Sequence, residues 1–302
     1  MAAHASRKVV YAAVTGSSAM LSEAIHSIVD TGNQLLILWG LSRASRPAGQ
    51  QYPFGYGMEL YFWTFVVAIL LFALGAGLSL YEGILKIINP HPVVDMTVHY
   101  IVLGLAFLFQ AGAWYVALRE FRKSKGRLGY IAAVRRSKDP SIFTVLFEDT
   151  AAMLGLIAAF AGLAATDLLD MPVFDGIASV TIGVILALTA GWLAYECKGL
   201  LIGEAAGPGV VAGIRTVIEN QDGIGRVNEL LTMHFGPDDV LLNVSLDFAD
   251  ALSSAQVETT VSSLEQRIKS EYPEITRVFI EAQSWFGHQQ GEHNAASDDA
   301  PA

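Results

Sequence analysis

Residues 60–81 read LYFWTFVVAILLFALGAGLSLY, an apolar run without a charged side chain and long enough to cross the hydrocarbon core of a bilayer as a helix. A helix that is apolar all round must be surrounded by protein or lipid. Three further runs of this kind follow, Val98 to Leu118, Ser141 to Ala165 and Gly176 to Tyr195, and a fifth, Gly16 to Leu41, carries charges inside it. The composition agrees: of 302 residues, 53% are hydrophobic and 16% charged, with a mean hydropathy of +0.43. A multi-pass integral membrane protein with five spans is expected. The N-terminal MAAHASRKVVYAAVTGSS is too short in its apolar stretch to read as a signal peptide or a span, and is taken as part of the mature chain. A net charge of −10 argues against nucleic acid as partner. The lone Cys197 can form neither an internal disulfide nor a cysteine-based zinc site, so any bound metal must use His, Asp and Glu.

The loops orient the spans. Arg43 and Arg46 follow the charged run, and the segment 119–140 is basic from Arg119, Arg122 and Lys123 to Lys138. The alternate loops, NPHPVVDMT at 89–97 and ATDLLDMPVFD at 165–175, hold no Lys or Arg. The positive-inside rule makes the basic loops cytoplasmic and delivers the C-terminal region to that side. The expected location is a bacterial inner membrane rather than an organelle. Small residues at four-residue spacing, Gly75, Ser79 and Gly83, and Gly183, Ala187 and Gly191, predict close helix approach.

From Gly207 the composition turns soluble. The periodicity predicts a helix over 208–219, strands over 226–235 and 240–248 joined by the turn GPDD, a helix over 253–270 and a strand over 276–281. That α-β-β-α-β order suits a small antiparallel sheet with helices on one face, which would gain stability by dimerising. The expected division is a membrane domain over 1–206, a soluble domain over 207–287 and a disordered tail over 288–302.

The chemistry is concentrated in the charged run. Glu23, His26, Asp30 and Asn33 follow one another at steps of three, four and three, and so share one helical face. An Asp at membrane depth costs roughly 2.5 to 3.5 kcal/mol on insertion scales, so such a stripe demands partners or a water-filled path. An imidazole and a carboxylate at i and i+4 can chelate one ion, but tetrahedral zinc wants four ligands, so a second helix must contribute. The candidate is SIFTVLFEDTAAMLGL, where Asp149 is favoured as ligand over its neighbour Glu148. Among the other histidines, His91 and His99 read as interfacial and His234 as a sheet residue, while His4, His288 and His293 fall near the chain ends.

At this point the sequence resembles the cation diffusion facilitator family, and within it the branch with a Glu-Asp pair in the fifth helix. The matching strings are TGSSAMLSEAIHSIVDTGNQ, RPAGQQYPFGYGMELYFW, FEDTAAMLGL and the α-β-β-α-β region ending VFIEAQ, which span Thr15 to Gln283. The resemblance implies a homodimeric exchanger with six transmembrane helices per subunit, moving metal out of the cytosol against protons, with its site between the second and fifth helices. By position, His26 and Asp30 match the second-helix ligands and Asp149 the fifth-helix aspartate. Val145 stands where a further ligand is usual, which leaves Glu148 or a water to complete the shell. Tyr52 replaces a common loop histidine, and Glu281 replaces a histidine of some bacterial members, so a regulatory site would have to use His234, Asp247 and Glu281. SRKVVYAA resembles the start of the family's first helix and AAVTGSS its end, as if most of that helix were excised. The expected function is therefore export of a divalent cation, zinc first, by metal/proton antiport. The alternatives are manganese or iron as cargo, or a non-transporting assembly or signalling protein. No enzymatic activity and no resident cofactor are expected.

Overall fold

The computed structural model describes residues 18–90, 96–126, 129, 130, 133, 134 and 137–290, and of residues 18–28, 30 and 124 the backbone alone. The segment read as a shortened first helix, with His4, lies outside the described residues, as do His91, His293 and most of the expected tail. The chain divides into two compact units, Met1–Arg46 with Glu59–Gly199, and Pro47–Met58 with Leu200–Ala302.

The first unit is helical. The charged run forms α1 (Ser18–Ala44). It is followed by α2 (Met58–Ile88), α3 (Met96–Lys125), α4 (Pro140–Leu169) and α5 (Val173–Ile202). Among the described residues these last four helices are long and apolar enough to cross a membrane. Local chemistry sets their ends. Asp139 caps α4 by accepting from the Ser141 backbone N–H at 3.0 Å, with Pro140 in the first turn, where its missing N–H costs nothing. The helix stops where Asp170 turns left-handed (φ 51°) just before Pro172. Within α2 the residues Leu71–Ala76 widen into a π turn.

Two of the small-residue positions do bring helices together. A Cβ on Gly83 would fall 2.7 Å from the Val180 nitrogen, and one on Gly183 3.0 Å from the Leu80 nitrogen, so α2 and α5 touch backbone to backbone. Lys86 and Asp175 pair at 2.8 Å beside this crossing. Gly191 has nothing near it, and there the stripe reading fails. At the other end of α2, Glu59 accepts from Arg43 at 2.7 Å and from the Trp63 indole at 3.0 Å, joining the end of α1 to the start of α2.

The second unit holds α6 (Pro208–Glu219), β1 (Ile224–Gly236), β2 (Asp239–Phe248), α7 (Ser254–Glu271) and β3 (Ile275–Ala282). A capping box between Ser253 and Gln256 starts α7. The sheet order is β1-β2-β3, with the core made by Val240, Leu242, Val244 and Leu246 against Ile214, Ile218, Leu264 and Ile268. The expected all-antiparallel sheet is corrected here: β2 and β3 are parallel. The reason is α7, a crossover long enough to carry the chain back and start β3 in the same direction as β2. Residues 285–290, partly read as tail, are helical, and the Trp285 ring lies under the Arg226 guanidinium at 3.7 Å.

Candidate metal centre

The polar stripe of α1 meets α4 at a defined bond. Asn33 Nδ2 donates to Glu148 Oε1 at 2.7 Å, and both residues are buried, at 1% and 7% exposure. Asp30 and His26 precede Asn33 by one and two turns on the same face, about 4.5 and 10.5 Å along the axis. Their side chains lie outside the described residues. Successive spans reverse direction, so the stretch of α4 facing these turns is the one just after Glu148. Ala151, Ala152 and Gly155 stand there, small and buried.

Asp149 is half-buried and reaches α3, where Gln110 Nε2 donates to its Oδ1 at 2.9 Å. One turn further along α3, the Trp114 indole donates to the Thr150 hydroxyl at 3.0 Å. Glu148 and Asp149 thus take their amide bonds from different helices, as the turn of about 100° between adjacent helical residues requires. Each amide is neutral, so it orients a carboxylate without neutralising it. Val145, four residues before Asp149, presents only methyl groups. Asn33 was legible as part of the stripe. Gln110 was missed, and its only signal is an uncharged amide inside the apolar run FLFQAGAW.

A cavity of about 220 Å³ opens between α2, α3, α4 and α5. Ala151, Ala152 and Gly155 form part of its wall, Gln110 lies along it, and Glu82, Lys86, His99 and Asp175 bring charged or polar groups to it. The ionisable members lie close to the loops without Lys or Arg, whereas Gln110 is about 16 Å deeper along α3 than His99. The cavity therefore runs between largely aliphatic walls from Gln110 to polar groups at the helix ends opposite the basic loops. His99, read as interfacial, lines this cavity.

Among the described residues no group of three or more His, Cys, Asp or Glu is close enough to hold a metal. The set suggested for the soluble domain is pulled apart by register. His234 pairs with Val240, whereas Asp247 pairs with Arg226 and Glu281 with Ser245. From Val240 to Asp247 is roughly 23 Å along β2, too far for one ion to bridge. His234 is buried, with Nδ1 3.1 Å from the Gly236 carbonyl oxygen. Glu281 is exposed, and Asp247 accepts from the Trp285 backbone N–H at 3.3 Å. Tyr52, in the loop 47–58, meets the Tyr56 ring at a tilt of 46° with centroids 4.6 Å apart.

With Asn33 of α1 bonded to Glu148 of α4, the comparison with known proteins is direct. The family model of the cation efflux transmembrane domain matches residues 2–202. The chain belongs to the cation diffusion facilitator family. It is 32% identical over 237 residues to the mitochondrial proton-coupled zinc antiporter SLC30A9 of Xenopus laevis, covering 78% of this chain and 42% of that protein. It is 27% identical to metal tolerance protein C4 of Arabidopsis thaliana, over 78% of this chain and 52% of that one. The cation-efflux pump FieF of Pectobacterium atrosepticum is 24% identical over 86% of this chain and 81% of its own length. The chain thus spans less than half the length of its SLC30A9 relative. These names include both mitochondrial and bacterial proteins and do not single out the bacterial membrane expected from the sequence.

Proposed function

We propose that this family member carries a divalent metal cation, zinc first, across its membrane in exchange for protons, at a site formed by His26, Asp30, Glu148 and Asp149. The observation that carries the reading is the Asn33–Glu148 bond, which brings the α1 stripe against the carboxylate turn of α4. The zinc antiporters among its relatives support the choice of cargo and of counter-ion. Carboxylates and a neutral imidazole bind either a proton or a metal through the same lone pairs, so metal release is coupled to proton uptake at one place. In this reading the cation arrives from the cytoplasmic side, marked by the basic loops, and leaves along the cavity toward Glu82 and His99. In sealed vesicles carrying the purified protein, zinc-driven proton flux should be abolished in His26→Ala and in Asp30→Ala. Flux at the wild-type rate in both would refute the site.

We also propose that the working unit is a homodimer held by its soluble domains. Leu231, Asn243 and Phe279 form one row across the sheet on the face away from α6 and α7, and Leu231 and Phe279 are half exposed. A row with two exposed apolar side chains either side of an amide suits a second copy of itself. Leu231→Ser combined with Phe279→Ser should move the detergent-solubilised protein from dimer to monomer in light scattering; an unchanged mass would rule this surface out.

A further inference from the structure

A second cavity, of about 290 Å³, lies between α3 and α4 at the helix ends that carry the basic segment. Its walls are apolar, with Leu118 and Phe121 of α3 and Leu146 and Phe147 of α4 among them. Trp114 and Thr150 mark its deep end, and their polar atoms are already paired. The Trp114 indole donates to the Thr150 hydroxyl at 3.0 Å, and that hydroxyl donates to the Leu146 carbonyl at 2.7 Å. Arg122 and Tyr130, both exposed, stand at the mouth, Arg122 about 12 Å along α3 from Trp114. The cavity is thus an apolar slot with one charged opening.

Arg122 makes no ion pair among the described residues. Its Nε donates to the Tyr130 hydroxyl at 3.1 Å, and the Lys125 ammonium lies 5.0 Å from the centre of the same ring. Two cations therefore converge on one tyrosine at the mouth of the slot. Residues 119–138 hold eight Lys and Arg against the single acid Glu120. Membrane topology accounts for that charge, but not for an apolar slot beneath it. A molecule with an apolar chain and an anionic end matches both. We propose that the slot holds one acyl chain of an anionic phospholipid, drawn from the leaflet on the side of the basic loops, with its phosphate on Arg122 and Lys125. The guanidinium fork matches two phosphate oxygens, and basic pockets between membrane helices are a recurrent kind of headgroup site. A free phosphate would satisfy the arginine but leave the slot unfilled. A zwitterionic lipid would fill the slot but bring a cation beside Arg122.

The test is native mass spectrometry of the purified full chain, carried in detergent with phosphatidylglycerol or with phosphatidylcholine of the same acyl chains. One phosphatidylglycerol per chain should stay bound, about tenfold more tightly than phosphatidylcholine. Arg122→Gln should erase that preference. Lys123→Gln is the control: its ammonium pairs with Glu120 at 2.6 Å rather than lining the slot, and the preference should survive. Leu118→Trp fills the slot from α3 and should lose the lipid with Arg122 still in place. Its melting temperature shows whether it folds, and Leu118→Phe takes its place if it does not. Equal losses in Arg122→Gln and Lys123→Gln would assign the binding to the diffuse charge of the segment and overturn the site. So would undiminished binding in the folded slot-filling variant, or equal retention of the two lipids by the wild-type chain. Displacement of the lipid by inorganic phosphate, or a second copy of the chain bound with no lipid retained, overturns it as well.

Discussion

Glu148→Gln is expected to silence metal transport while leaving the protein at least as stable as before. The glutamine keeps the length of the side chain and the oxygen that accepts from Asn33 Nδ2, so the link between α1 and α4 survives. What it removes is the negative charge. An ionised carboxylate at membrane depth costs a few kcal/mol, so neutralising it should hold or raise the melting temperature in detergent. A divalent cation meanwhile loses an anionic ligand, and zinc-driven flux should fall by about 100-fold, an effect of roughly 2.7 kcal/mol. Glu148→Ala separates the two contributions. It leaves the buried Asn33 amide without this acceptor, costing about 1–3 kcal/mol, so this variant should lose both transport and stability. Transport by Glu148→Gln at the wild-type rate would mean that Glu148 serves the link between α1 and α4 alone.

Why Glu148 deserves this weight is something the sequence could only half supply. Charged residues in apolar runs are conspicuous, so the stripe Glu23, His26, Asp30 and Asn33 and the Glu148–Asp149 turn could be read directly. Which carboxylate meets which helix depends on the rotation of α4 about its axis. Adjacent residues leave that choice open, and the pairing of Glu148 with Asn33 and of Asp149 with Gln110 needed the structure. Gln110 carries no charge and looks like an ordinary polar residue of a membrane helix. Its interest comes from the bond it makes to Asp149. In the soluble domain the alternation of Val240, Leu242, Val244 and Leu246 gave the strands to within about two residues, a usual margin for such boundaries. A period of two says nothing about strand direction, so the parallel pairing of β3 had to come from the α7 crossover. The separation of His234 from Asp247 is likewise a matter of register.

The loop 47–58 leads to the second large effect. It rests on the sheet through contacts to β1 and β3, with β2 holding the β3 contact in place. Phe54 stacks on Phe235 of β1 with centroids 4.9 Å apart and rings 13° from parallel. Arg277 of β3 lies over both rings, 5.5 and 6.0 Å from their centroids. Asp239 of β2 holds that guanidinium through both carboxylate oxygens at 2.7 and 2.9 Å. Such stacking and cation–π contacts contribute about 1–2.5 kcal/mol together. At Gly57 the fit becomes exclusive, because a Cβ there would lie 2.2 Å from the Phe235 carbonyl oxygen. Gly57→Val places a branched side chain into backbone that cannot rotate away, and overpacking of this kind costs typically 1–3 kcal/mol or more, enough to match or exceed what the rings and the guanidinium contribute. The loop should therefore leave the sheet, although the core around Ile214, Leu242 and Leu264 is untouched. Amide exchange in 47–58 should rise by about tenfold or more, the equivalent of roughly 1.4 kcal/mol, while exchange in β2 stays slow. Gly55→Ala is the comparison: Gly55 has a positive φ of 85° but open space around it, so alanine there meets only backbone strain of about 1 kcal/mol. Equal exchange in the two variants would show that close approach at Gly57 is not what seats the loop. Since Gly57 is followed at once by Met58, the first residue of α2, and the loop follows directly on α1, a displaced loop changes the tether of the helix that carries His26 and Asp30. Zinc flux in Gly57→Val should then fall with His26 and Asp30 still in place.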